Sequence, residues 1–376
     1  MGEKVKVGIV GLGMGRVHLQ ALNGMEEVEV QALCDINEGL LKSVGEEAGV
    51  RKLFTDFEQF IKEDMDAVFI CTPHFLHREQ VVAALQSGKH VFCEKPLAVT
   101  VREADEMVKV AMDAKKKLAV GFQRRTNPKD RLVRQLVQEL GEISCGLYET
   151  IGVRTQAYYD SGAWRGTWWG EGGGVLINQA VHDLDIYQWW MGMPKWVIGM
   201  AETFAHNIET EDLASAIFVY ENGAQVLFQA SLASHPGASR FEVNGEMGRL
   251  VYDGEIRIAR VDGSVLEFIR VCPEVWGKPP KVTWEDVQAP QEEWGHAVLV
   301  RDFINSIITD REPLATGEEG IKSVELVNAI IMSTLLREPV ELPLDRDSYE
   351  ALMEELRKGK RKLPSRTNHK FAYTSQ

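Results

Sequence analysis

The sequence predicts two domains: an α/β domain on a doubly wound parallel sheet, then an α+β domain with a large, mainly antiparallel open sheet. Three observations lead there. Up to residue 122, near-continuous apolar strand patterns alternate with amphipathic helices. After Gly141 the texture changes to strand patterns in close succession. And 376 residues are more than one hydrophobic core usually serves. The expected organisation is 1–122, 123–345, and a basic tail over 346–376.

In the first part the strands are KVGIV (6–10), VEVQALCD (28–35), DAVFICT (66–72), KHVFCE (89–94) and KLAVGF (117–122). Between them apolar residues recur at helical spacing, as in Phe57, Phe60 and Ile61. Thr100 with Glu103 has the spacing of a capping box that opens a helix carrying Met107, Val108, Ala111 and Met112. NPKDRLVRQLVQELG (127–141) supplies an Asn127 cap, Pro128 at the first helical position and Gly141 as the stop.

The second part holds the strand patterns ISCGLYETIGV, KWVIGMAETF, LASAIFVY, AQVLFQASLA, RFEVN, RLVYD, EIRIAR and VLEFIRV. Asn222-Gly223 and Asn244-Gly245 are placed as hairpin turns. Two helices are expected near 293–309 and 318–336. The cluster RKGKRKLPSRTNHKF is expected to be a solvated, mobile end.

Composition narrows the function. Hydrophobic residues make up 44%, which supports a packed core, and the formal charge is −14. Neither nucleic acid nor an anionic membrane is the expected partner, since both require a basic face. No apolar run is long enough to span a membrane, and MGEKVKVGIV has neither a signal-peptide layout nor a myristoylation pattern. Cys34, Cys71, Cys93, Cys145 and Cys272 form no CxxC pair and are expected to be small hydrophobes in a reducing compartment, with cytoplasm as the default.

VGIVGLGMGRVH (7–18) almost satisfies the dinucleotide template G-x-G-x-x-G. Gly11 and Gly13 fit, but the third glycine arrives one residue early at Gly15, with Arg16 in its place. The loop follows a strand and opens a helix, and Asp35 ends the next strand. Glycines let backbone approach a pyrophosphate, the helix N-terminus offers free N–H groups, and the acid binds ribose hydroxyls. The reading is a cofactor loop shortened by one residue, with Gly15 doing the helix–strand packing. Arg16 either reaches a phosphate or remains a solvated first-turn arginine. CEKPLAVT places Glu94, Lys95 and Pro96 just beyond a strand's carboxyl end, the same edge as Gly11, Asp35 and CTPHFLH (71–77).

WRGTWWGEGGGVLINQAVHDLDIYQWWMG (164–192) is the second dense segment. Asn178 and His182 are four apart, on one face of an expected helix, and histidine is the side chain best suited to proton exchange near neutral pH. Asp183 and Asp185 lie beside His182 but point some 100° apart, so no metal is expected. Trp164, Trp168 and Trp169 either stack on a substrate ring or line a core, the commoner outcome.

Together the glycine loop, EKP (94–96), GFQRR (121–125), GGGVLINQAVHDLD, HNIETEDLASAIFVYENGA (206–224), VNGEMGRLVYDG (243–254) and EGIKSVELVNAIIMSTLLREPVELPL resemble the Gfo/Idh/MocA oxidoreductases from residue 5 to about 345. The resemblance implies a Rossmann domain, a second domain whose open sheet makes subunit contacts in a homo-oligomer (dimer or tetramer), a tightly held NAD, and oxidation or reduction of a sugar, glycoside or cyclitol hydroxyl. It implies Lys95, commonly before a cis proline, and His182 as catalytic. Asn178, Arg124, Trp164, Arg165 and Asp183 would bind substrate. Gly11, Gly13, Met14, Gly15, Arg16, Asp35, Ile36, Thr72, Pro73, His74, His77, Glu94, Lys95, Gln123, Trp164 and Arg165 would meet the cofactor. The usual helix motif is D-x-x-x-H, and Asn178 replaces its aspartate, which confines proton exchange to His182 and Lys95 and mildly favours glycosides, nucleotide sugars or aminosugars. An NAD-dependent glycoside hydrolase working by transient oxidation and elimination is the alternative. A non-catalytic nucleotide sensor is a third reading, disfavoured by the presence of both Lys95 and His182.

Overall fold

The structure, a computed structural model, describes residues 4–366. Val5, Val7, Ile9 and Val10 start a strand whose neighbours are equally apolar, so the sheet is buried on both faces. Its six strands are β1 (Val5–Val10), β2 (Val28–Cys34), β3 (Lys52–Phe54), β4 (Ala67–Ile70), β5 (His90–Cys93) and β6 (Leu118–Val120). They run parallel in the order β3-β2-β1-β4-β5-β6. The order reverses between β1 and β4, which makes the carboxyl ends of those strands the topological switch point where such sheets bind ligands. Of these strands, β3 is the one absent from the sequence expectation; three residues carry too little pattern to read. The capping box at Thr100 and Glu103 forms as expected on the helix Val101–Ala114.

The first compact unit runs to Asn127 and takes in Trp169–Gly172 and Glu293–Glu325; the second holds Pro128–Trp168, Gly173–Glu292 and the chain from Leu326. This differs from a second domain running unbroken to 345. The reason is packing. Phe303, on the helix His296–Ile308, meets Phe69 and Phe92 of the parallel sheet, each at 5.6 Å between ring centroids. The Val120 amide donates to the Ala315 carbonyl at 2.9 Å, and a Cβ at Gly317 would lie 2.8 Å from Leu118. The returning chain thus covers the β6 edge, a long-range event that no local pattern announces.

The second unit is built on nine strands: β7 (Ile143–Val153), β8 (Trp196–Glu202), β9 (Leu213–Val219), β10 (Gln225–Ser231), β11 (Ala233–Gly245), β12 (Gly248–Tyr252), β13 (Ile256–Val261), β14 (Val282–Val287) and β15 (Val340–Glu341). Their order is β14-β13-β12-β11-β7-β10-β9-β8-β15, antiparallel except for β7 with β10. Tyr148, Phe218, Phe228 and Phe241 on the inner face pack with Tyr187 and Trp190 of the helix Val181–Met191. Ile198, Met200 and Leu227 on the other face are exposed.

Four local expectations are corrected. VLEFIRV forms a helix, Val265–Val271, because Ser264 accepts from the Glu267 amide and caps it. Asn244-Gly245 ends β11, with Gly245 paired to Gly248, so Glu246-Met247 makes the turn. Cys145 is exposed. The expected tail instead folds from 346 onward: Asp345 caps the helix Arg346–Arg357, which buries Tyr349, Leu352, Met353 and Leu356. The last part of the basic cluster lies outside the described residues.

A Cβ at Gly174 would sit 1.8 Å from the Glu211 carbonyl oxygen. Gly174→Ala therefore lowers stability by about 1–3 kcal/mol, measured as a fall in thermal midpoint.

Candidate active site

The nucleotide end of the first unit is shaped by what its glycines touch. Gly11 has φ +85°, and a Cβ there would meet the Cys71 carbonyl oxygen at 2.5 Å, so the loop runs directly against the 71–72 backbone. At Gly15 the obstacle would be Ile9 Cγ2 at 2.8 Å, the helix–strand contact expected of the early glycine. Among the described residues nothing lies within 4 Å of a Cβ at Gly13. The protein's own packing does not demand that glycine, and its bare backbone opens the helix Leu12–Asn23. That helix has no side-chain cap and no acid in its first turn, which suits an anionic group. Arg16 is exposed there, and Met14 half-buried.

Asp35 accepts the Leu12 amide on Oδ2 at 2.7 Å and the Asn37 amide on Oδ1 at 2.8 Å. The carboxylate is thereby fixed at the end of β2 beside the glycine loop, and each oxygen retains accepting capacity for a ribose hydroxyl. Asn37 is spent as the cap of the next helix, accepting from the Leu40 amide. Ile36 is almost fully exposed. Bare backbone at Gly13, an uncapped helix start and a fixed acid together fit a dinucleotide.

Past β4, Thr72 donates to Gln80 at 2.6 Å, followed by Pro73 and His74, whose Nδ1 faces the Glu171 carbonyl at 3.0 Å. His77 is fully buried, with Nδ1 at 2.8 Å from the Pro96 carbonyl and Nε2 at 2.8 Å from that of Thr72. It ties the 72–77 turn to the EKP loop, and burial pushes its pKa down against the pull of the two carbonyls.

Glu94 also lies inside. Its Oε1 is 2.7 Å from His18 Nε2, and its Oε2 accepts the Lys95 main-chain amide at 3.1 Å. A Cβ at Gly121 would fall 2.9 Å from Oε2, which explains the glycine of GFQRR. The sequence reading missed His18, whose signal was its place three residues beyond the glycine loop. The Lys95–Pro96 peptide is cis, and Lys95 is half-buried just past the carboxyl end of β5. Gln123 and Arg124 are half-buried in the short turn Gln123–Thr126, while Arg125 is buried against Glu319.

In the second unit Tyr158 gathers the polar groups. Its hydroxyl oxygen accepts from Arg165 at 2.6 Å and from the side-chain amides of Asn178 and Gln179, each at 3.1 Å. The Arg165 guanidinium also lies over the rings of Tyr158 and Trp164, at 4.4 and 4.6 Å. Tyr158 was not singled out from sequence, since one tyrosine in a loop-rich stretch carries no signal. The expected helix through Asn178 and His182 is interrupted: Val175–Asn178 and Val181–Met191 are separate, with the Ala180 amide reaching back five residues to the Val175 carbonyl. Glu211 holds the start of the first of these helices by accepting the Gly174 and Leu176 amides. His182 is half-buried at the start of the second helix. Asp183 is buried and accepts from Tyr148 at 2.8 Å. Of the tryptophans, Trp168 is buried, and Trp169 is exposed beside Phe75 at 5.2 Å.

Residues 5–122 match the oxidoreductase family with an NAD-binding Rossmann fold, and residues 131–251 match the GFO/IDH/MocA C-terminal domain. A 1,5-anhydro-D-fructose reductase of Ensifer adhaerens is 30% identical over 79% of this chain and 86% of its own length. The chain belongs to the Gfo/Idh/MocA oxidoreductase family. Among Gfo/Idh/MocA relatives, the uncharacterized oxidoreductase YrbE of Bacillus subtilis is 26% identical, covering 91% of this chain and 98% of its own. The WlbA dehydrogenase of Chromobacterium violaceum, solved with NADH and UDP-GlcNAcA, is 29% identical with a TM-score of 0.79, covering 92% of this chain and 98% of its own. As a Gfo/Idh/MocA member, this chain is an oxidoreductase whose cofactor is NAD.

A 2′-phosphate placed at the end of β2 would meet the Asp35 carboxylate. Fluorescence titration is expected to give tighter binding of NADH than of NADPH. Asp35→Ala is expected to weaken NADH by about 10–100-fold, the loss of a charge-assisted hydrogen bond.

Proposed function

We propose that this protein transfers hydride between a ring hydroxyl carbon of a sugar, glycoside or cyclitol and NAD. The observation that carries the reading is the placement of Lys95 at the carboxyl end of β5, in the same sheet whose switch point holds the glycine loop and Asp35. The sugar-directed names of its relatives, and the nucleotide sugar held by the WlbA dehydrogenase, support the substrate class.

Bound NAD+ supplies the hydride acceptor. The chain's own residues manage the oxygen. In the oxidation direction the substrate O–H proton goes to the His182 imidazole, and the Lys95 ammonium stabilises the alkoxide as the carbonyl forms. Two electrons and one hydrogen leave carbon as hydride while one proton leaves oxygen, so the balance closes with a ketone, NADH and a protonated His182. Asn178 cannot titrate; held against Tyr158, it orients substrate hydroxyls. Arg165 and Trp164 are further ligand contacts, and Arg124 a substrate contact. The glycosidase alternative is not needed for any of these groups. We further infer a homo-oligomer joined through the exposed face carrying Ile198, Met200 and Leu227, and a cytoplasmic location.

Lys95→Ala and His182→Ala are each expected to lower turnover by about 10²–10⁴-fold while NADH still binds, as read by steady-state rates and fluorescence titration. Asn178→Asp is expected to retain activity and to add an ionisation to the rate–pH profile. Near-normal turnover in His182→Ala would remove the assigned base.

A further inference from the structure

Glu94 sits immediately before Lys95 and is 6% exposed; its hydrogen-bond partner His18 is fully buried. A carboxylate in such a place requires donors and an opposite charge. The donors are His18 Nε2 and the Lys95 amide. The state of His18 follows from its other nitrogen. Nδ1 is buried among Phe69, Phe92 and His296, at ring separations of 5.7, 5.1 and 5.8 Å, and makes no hydrogen bond among the described residues. A bare N–H in that setting is costlier than a bare lone pair, so the proton belongs on Nε2 and the ring is neutral.

We propose that Glu94 and His18 form a buried couple of net charge −1 that holds Lys95 as an ammonium, making Lys95 the fixed cation of the reaction and leaving proton transfer to His182. This rests on the assignment of Lys95 to the substrate oxygen made above. Glu94 and His18 are positioning residues: they act through Lys95.

The surroundings agree. Burial is the largest single influence on the Glu94 carboxyl and raises it, but the His18 hydrogen bond and the charges of His18, Lys95 and His296 at acid pH together outweigh it and bring it down to about 2. Other titratable groups facing it are Cys71 and Cys93, whose thiols burial raises, and His77 and His296, whose rings burial pushes towards the neutral form. Of the cationic groups acting on the carboxylate, Lys95 is the next residue in the chain. Gly121 allows the carboxylate to sit there, since any side chain would press on Oε2.

The test is competitive acylation of lysines across pH in the full-length enzyme, read by mass spectrometry of the Lys95 peptide, alongside the rate–pH profile. In the wild-type protein Lys95 is expected to react less than the exposed Lys115 throughout about pH 8–10, since a free lysine titrates near 10.4; reactivity above that of Lys115 overturns the proposal whether or not any variant folds. In Glu94→Gln, which keeps the shape and removes the charge, the Lys95 curve is expected to move down by about one pH unit or more, and the alkaline limb of the rate profile with it. His18→Gln, which keeps a neutral donor, is expected to leave the curve in place; a shift as large as that of Glu94→Gln overturns the neutral state of His18. An unmoved Lys95 curve in Glu94→Gln overturns the couple itself. A labelling curve that moves while the rate profile does not leaves the couple standing and rejects the role of Lys95 in the reaction.

Discussion

A carboxylate withdrawn from water must find donors and a counter-charge, and Glu94 finds them in several segments of the first unit at once. The helix after the glycine loop brings His18, the strand end brings the Lys95 amide, and β6 leaves room through Gly121. The helix His296–Ile308 closes the surroundings with His296 and Phe303. Each of these segments is positioned by the same group, so the backbone that presents Lys95 is defined by the burial of its neighbour. His77 adds a second tie, from the 72–77 turn to Pro96. Lys95 thus sits on a loop whose conformation is over-determined, which is what preorganised electrostatics requires.

The second unit uses the same device with different groups. Glu211 takes two amides at the start of the helix Val175–Asn178, and Asp212 takes those of Phe204, Ala205 and His206. These carboxylates hold the backbone, while Tyr158 collects the exchangeable donors of Arg165, Asn178 and Gln179. A phenol is suited to that task, because its ring also provides a face for the guanidinium. The start of the segment GGGVLINQAVH is thereby fixed, with Gly174 pressed on the Glu211 carbonyl.

The parallel sheet was legible because its strands carry apolar runs such as residues 32–34 and Ala67–Ile70 with amphipathic helices between them, and the glycine loop because two of its glycines answer to contacts with Cys71 and Ile9. Lys95 and Asp35 were legible from their position at strand ends. What escaped was whatever depends on partners distant in sequence. The ties of His77 to the Pro96 and Thr72 carbonyls, and of Asp183 to Tyr148, could not be read from sequence. The return of Glu293–Glu325 to the parallel sheet left no local trace, and Val265–Val271 had the composition of a strand until Ser264 capped it as a helix. Tyr158 and His18 acquire meaning only from what surrounds them.

In the proposed reaction hydride leaves a substrate carbinol carbon for NAD while the chain handles the oxygen. The most direct measurement is incubation of the purified protein and NAD+ with a sugar deuterated at the reacting carbinol carbon, followed by mass and NMR analysis of cofactor and product. The expected result is deuterium at C4 of the nicotinamide, one NADH per ketone formed, and turnover slowed by the label. Conversion of the sugar with no net NADH, or NADH without deuterium, would contradict it.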